Sequence, residues 1–194
     1  MFRRTPDDKV QGVLSDWDLA CNKKTEGEYN RDGMYVGTRA FISKDLHIRK
    51  SLIHYERYDY ESLLYSLYWI NVFYSQGKSR PETEISEAYT QWKKWNSYDD
   101  MIIYHAKESF VLSGWNEGYI SSFFLPLSRS WLRSMRKLFH RGYSAKTFYE
   151  DEENPPLGNE KGKESMHCLS RTKFNEETLG GHVTFERIYK ILLQ

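Results

Sequence analysis

Cysteine is nearly absent: Cys21 and Cys168 are the only two in 194 residues. Two thiols exclude a disulfide framework and a tetrahedral zinc site, and they suit a reducing intracellular compartment, cytoplasmic or nuclear. Long apolar runs are missing too. No stretch approaches the roughly 20 apolar residues that cross a bilayer. The opening MFRRTPDDKV has basic residues with no apolar run behind them, which excludes a secretory signal. Neither sign of charge dominates, since Lys plus Arg number 28 and Asp plus Glu 27, for a net charge of +1. Global attraction to nucleic acid or to an anionic membrane is therefore not expected. The six histidines lack metal-ligand spacing, and no Gly-x-Ser-x-Gly elbow occurs.

What the chain has in quantity is rings. Aromatics make up 16% of residues, 15 of them Tyr, which predicts a core of rings that keep a polar edge. The length suits a single domain with a sizeable core. Residues 9 to 46 read as short extended pieces and loop, with β-formers at Val10, Val13 and Leu14 and turn signals at Gly27, Asn30 and Asp32-Gly33. From Asp59 the period becomes helical. Asp59 reads as an N-cap and Glu61 as a first-turn acid. Leu63, Leu64, Leu67, Tyr68, Trp69, Ile70, Val72 and Phe73 then cover nearly the whole circumference, which predicts a buried central helix ending at Gly77.

Amphipathic helices follow over 81–96, 98–112 and 127–141. The second opens on Ser97 and Asp100 as a capping box and stops at Gly114, and the third stops at Gly142. The charged, Pro/Gly-rich stretch 149–165 reads as a mobile loop. A last helix within 184–194 carries Phe185, Ile188, Ile191 and Leu192. Strands followed by a run of helices predict α+β, mostly α.

The stretch GVLSDWDLA (12–20) sets Asp16 and Asp18 around a tryptophan at the exit of an apolar run. Asp16 has two readings. It is a loop acid or cap, or it is a carboxylate on a rigid strand end that takes a hard cation such as Mg²⁺. An irregular stretch leads from it to VGTRAFISKDL (36–46), and Asp59 then heads YDYESLLYSLYWI.

This order resembles the C-terminal lobe of a protein kinase, where Asp-Phe-Gly, an activation segment and a Gly-Thr loop precede an Asp-headed central helix. It is most similar to the fungal-type protein kinase family, whose members look like GVLIDFDLA, TGTxxFMAIEL and DxESFFYVLxWI at these places. A further family pattern, a Trp followed by a Lys and a Phe on the next helix, matches KKWNSYDDMIIYHAKESF. The resemblance runs over residues 9 to 112 and more weakly beyond. It implies that Asp16 takes Mg²⁺ and reaches the ATP phosphates, with Asp18 a weaker second ligand. Trp17 replaces the phenylalanine that packs under the N-terminal lobe. Gly37 and Thr38 form the substrate loop. Asp45 falls on the Glu of Ala-Pro-Glu, one methylene shorter, with an arginine partner from a later helix. Asp59 bonds backbone groups of the catalytic loop, or is a plain N-cap.

The resemblance implies one partial kinase-like domain over 1–194: metal strand and activation segment at 9–46, helical core at 59–141, insertion at 149–182, final helix at 184–194. A kinase also needs a Gly-rich loop, a strand Lys and a His-Arg-Asp loop before the metal strand. MFRRTPDDKVQGVLS contains no His, no Asn and no Gly-rich loop, and Asp7 and Asp8 lie too near the strand to be the catalytic base. No catalytic residue is assigned. The leading expectation is a kinase-family lobe that transfers no phosphate by itself and meets a protein substrate. The alternatives are a pseudokinase-type scaffold that holds a partner protein and an unrelated helical domain. Thr25, Tyr29 and Tyr35 would lie in the activation segment. Arg129, Arg133, Arg136, Lys137 and Arg141 read as a solvated basic face.

Overall fold

The computed structural model describes residues 2–12, 37–48, 53–113, 116–153 and 173–194. The chain divides into two compact units, Met1–Met34 and Tyr35–Gln194.

In the first unit, β1 (Phe2–Arg4) pairs antiparallel with β2 (Val10–Gly12), with Arg4 opposite Val10. The connecting turn closes through Thr5 N–H to the Lys9 carbonyl at 2.9 Å and places Asp8 at φ 60°, a conformation Asp tolerates. Asp7 and Asp8 sit in this turn and pair with Lys9 at 2.6 Å and Arg4 at 2.9 Å.

The second unit is helical, so the described residues are α+β and mostly α. A 3-10 turn at Lys44–His47 precedes α1 (Glu56–Phe73), α2 (Glu82–Trp95) and α3 (Asp100–Leu112). After two short 3-10 turns come α4 (Leu125–Leu127), a π-turn (Ser128–Leu132), α5 (Arg133–Glu153) and α6 (Phe185–Leu192). The core is a ring cluster. Trp95 lies against Tyr65 at 5.0 Å, Phe110 at 5.1 Å and Tyr68 at 5.7 Å between centroids. Phe41, Trp69, Phe73 and Trp92 extend it toward the loop that precedes α1. Ile188 and Ile191 bury the inner face of α6.

Four boundaries differ from the sequence reading. Helix α1 begins at Glu56 behind Tyr55, and Asp59 stands inside its first turn rather than at its cap. The extra residues are drawn in by burial, since Arg57 and Tyr58 are each 1% exposed. Helix α1 is also less enclosed than its composition suggests, with Leu63 and Ile70 36% and 40% exposed. Gly77 does not end it. The helix stops at Phe73, and Gln76 (φ 51°) and Gly77 (φ 75°) form the two-residue turn of a small hairpin, β3 (Tyr74–Ser75) with β4 (Lys78–Ser79). Two positive φ values in succession are what such a turn demands. The cap of α3 is Asp99, whose carboxylate accepts from Met101 N–H at 2.8 Å and Ile102 N–H at 3.3 Å, rather than Ser97 with Asp100. The end expected at Gly114 falls on a residue outside those described.

Gly142 is the fourth, and it lies within α5 rather than after it. Its role is close approach. A Cβ there would stand 2.7 Å from Leu179 Cβ and 3.1 Å from Leu179 Cδ1. Helix α5 runs on to Glu153, so the expected loop begins in helix, and its remainder, 154–165, lies outside the described residues. Gly142→Ala tests the contact. Overpacking costs about 1–3 kcal/mol against the ~1 kcal/mol by which alanine improves a helix interior. The expected net is a loss of about 1 kcal/mol in urea unfolding, and a gain would show that Leu179 yields.

Candidate functional site

The loop before the 3-10 turn is built to stay in place. Phe41 and Ile42 N–H bond the Thr38 carbonyl at 2.8 and 3.3 Å, which closes a tight turn over fully buried Ala40. Gly37 is needed for proximity, as a Cβ would meet Ile42 Cγ1 at 3.3 Å. Phe41 drives its ring between Trp69 and Trp92, at 6.0 and 5.5 Å.

Below the loop a polar network replaces hydrocarbon. Glu61 is fully buried on α1. It accepts from Ser43 Oγ at 2.5 Å, Lys44 N–H at 3.1 Å, Tyr143 OH at 2.7 Å and the Tyr65 hydroxyl. Four donors satisfy a carboxylate that has no access to water. Asp45 Oδ2 receives Arg57 Nη2 at 2.8 Å, and Lys44 and Lys146 stand 3.6 and 3.7 Å from its carboxylate. Burial pushes the Asp45 carboxyl up, but Arg57, Lys44 and Lys146 together outweigh it and hold it below the ordinary value. Burial likewise opposes the charge on Lys44, and Asp45 and Glu61 override it and raise that group. Burial, then Glu61, drives the Tyr65 and Tyr143 phenols well up, so both remain donors.

Above the loop lies a shallow pocket of about 140 Å³. Gly37, Thr38 and Ile42 line it from the loop, Asp59 and Ser62 from α1, and His54 from the segment before α1. His54 Nε2 is 3.1 Å from Asp59 Oδ1, and the Asp59 side chain is 69% exposed. The structure thus brings Gly37, Thr38 and Asp59 to one surface. Asp45 is on the buried underside, and its arginine comes from the first turn of α1. Asp16, Trp17 and Asp18 lie outside the described residues, as do Thr25, Tyr29 and Tyr35.

The described residues include no residue expected to hold Mg²⁺, since Asp16 and Asp18 lie outside them. Among the described residues no three His, Cys, Asp or Glu side chains converge on a metal position. The pocket is also smaller than the ~300 Å³ at which small-molecule sites begin. Neither do they make the basic face uniform: Arg129 holds Glu117 at 3.0 and 3.2 Å, and Arg136 Nε caps the Phe110 carbonyl at 2.8 Å. Arg133, Lys137 and Arg141 remain exposed. Among the described residues no helix is long and apolar enough to cross a membrane.

Sequence reading missed the polar underside. Arg57 lies before the expected helix start and carried no reading, and Glu61 read only as a first-turn acid. The one available signal was Lys107, the lysine of the Trp-Lys-Phe pattern, which proves to be fully buried.

A family model described as Fungal protein kinase matches residues 1–71. The match takes in 12–20, 36–46 and the helix start at 58–70, and ends before the residues up to 112 over which the resemblance was read. No curated protein and no solved structure matches the chain.

Proposed function

We propose, from the match of residues 1–71 to the fungal protein kinase family model, that the chain is the substrate-side lobe of a kinase-like fold and docks protein segments at the Thr38–Asp59 pocket. One observation carries this reading. The loop that the family uses to meet substrate and the aspartate of its central helix face the same open surface, and the buried Lys107 amine holds the loop there by its Arg39 and Ile42 carbonyls. A shallow, half-apolar, solvent-open surface suits an extended peptide better than a small molecule. Phosphoryl transfer needs positioning and charge stabilisation by a metal, a lysine and a catalytic aspartate acting together. No residue of this chain is assigned as the catalytic base, and the chain is read as one that holds a peptide and leaves it unphosphorylated. Mg²⁺ and ATP belong to the family's reaction, with Asp16 the residue that would meet the metal. An intracellular setting fits the two cysteines.

The experiment is a fluorescence titration of Ser/Thr-containing peptides with the purified chain, run beside a phosphate-transfer assay with Mg-ATP. Micromolar binding is expected, with no transfer above background. Thr38→Trp, which fills the pocket from an exposed position, should weaken binding about tenfold or more, a loss of ~1.4 kcal/mol, without changing the melting temperature. Absent binding, binding indifferent to Thr38→Trp, or transfer above background would each contradict the reading.

A further inference from the structure

We propose that His47 and Lys107 form an acid-released latch on the Gly37–Ile42 loop, closed while the pair shares one proton and released when it takes a second. The inference rests on that loop being the docking element, and adds its regulation.

The loop's grip on the helical body converges on one amine. Lys107 Nζ, inside the fold, donates to the Arg39 carbonyl at 2.9 Å and to the Ile42 carbonyl. It stands 3.2 Å from His47 Nε2 and 4.8 Å above the Tyr65 ring. On its other side the His47 ring places Nδ1 3.0 Å from Asp100 Oδ1, which Arg39 Nη2 also holds at 2.6 Å. A carboxylate accepts and an ammonium donates, so the imidazole between them carries its proton on Nδ1 and offers its Nε2 lone pair to Lys107. The three N–H of the ammonium then meet three acceptors. Every group is satisfied with one proton shared by the pair.

A second proton has no place in this arrangement. On Nε2 it would remove an acceptor from Lys107 and set two cations in contact inside the protein. The other charged and titratable groups around the pair are Arg39 from the loop, Glu61 and Tyr65 from α1, and Asp100 from α3. Lys44 and Asp45 of the 3-10 turn are engaged with Glu108 and Arg57. Asp100 and Glu61 favour a positive charge here, and Arg39 opposes it. Burial outweighs the attractions. It holds Lys107 down at about 7 and, together with the Lys107 charge, holds His47 below its ordinary value. Opening the loop hydrates both groups and restores their affinity for protons. The open form binds more protons than the closed one, so falling pH favours release.

Hydrogen exchange on the free protein tests this. After correction for intrinsic rates, protection of the Phe41 and Ile42 amides should fall about tenfold or more from about pH 6.5 to about pH 5. The Leu64 and Tyr65 amides of α1 should hold. His47→Gln, whose amide oxygen still accepts from Lys107 and takes up no proton, should stay protected at both values. A wild-type loop equally protected at both, or a His47→Gln loop that opens as the wild type does, overturns the latch. If His47→Gln fails to fold, NMR titration of the wild-type His47 ring decides. A midpoint below 6.5 that coincides with loop release supports the latch, and one at or above that ordinary value overturns it. Neither readout uses a peptide, so failure of the latch and failure of the docking reading are separable.

Discussion

Arg57→Ala is expected to lower the unfolding free energy by about 3–5 kcal/mol, the cost of removing one partner from a buried ion pair. The side chain is fully buried and donates to Asp45 Oδ2 at 2.8 Å, the Glu176 carbonyl at 2.7 Å and Tyr143 OH at 3.2 Å. Its removal leaves Asp45 facing only Lys44 and Lys146, both beyond hydrogen-bond distance. Since whole domains are stable by about 5–15 kcal/mol, the variant should be largely unfolded at moderate temperature. Urea unfolding followed by far-UV circular dichroism measures it, and a change under about 1 kcal/mol would mean that the pair is solvated and not structural. Acid should act on the same pair. Asp45 is held below its ordinary value, so its contribution is fully present above the ordinary carboxylate value and is lost as pH falls through the folded one.

Trp95→Ala should cost a similar amount, about 3–5 kcal/mol, for a different reason. The indole is 1% exposed and touches Tyr65, Tyr68, Trp92 and Phe110. Alanine there leaves a cavity that rigid rings cannot collapse to fill. Trp95→Phe keeps a ring and removes an indole N–H that has no partner among the described residues, so it should cost only about 1 kcal/mol. The contrast is the test. Equal losses in both variants would assign the effect to indole polarity instead of volume.

These two positions also show how much of the fold was legible. Trp95 sits on a helix whose apolar spacing was plain, and α2, α3 and α6 emerge close to their expected bounds. Hydrophobic period is local, and local patterns survive in one sequence. Gly142 failed for the same reason, since nothing near it in sequence announces Leu179, 37 positions on. Gly77 failed because a glycine signals positive φ, and both a helix end and a hairpin turn use it.

The candidate site was legible in its exposed half. Thr38 and Asp59 stood out through family motifs, and the pocket joins them. Arg57 and Glu61 did not stand out, and Lys107 did so only as part of a motif, because a charged residue in one sequence reads as surface until its partners are known. Those partners lie at long range: Ser43 for Glu61, Asp45 for Arg57, and the Arg39 and Ile42 carbonyls for Lys107.

The most direct test of the docking account is amide chemical-shift mapping of the labelled chain with a bound Ser/Thr peptide. The account expects the perturbations to centre on Gly37, Thr38, Asp59 and Ser62, with α6 unaffected. Perturbations centred on α6 or on the basic side of α5, with residues 37–62 silent, would contradict it.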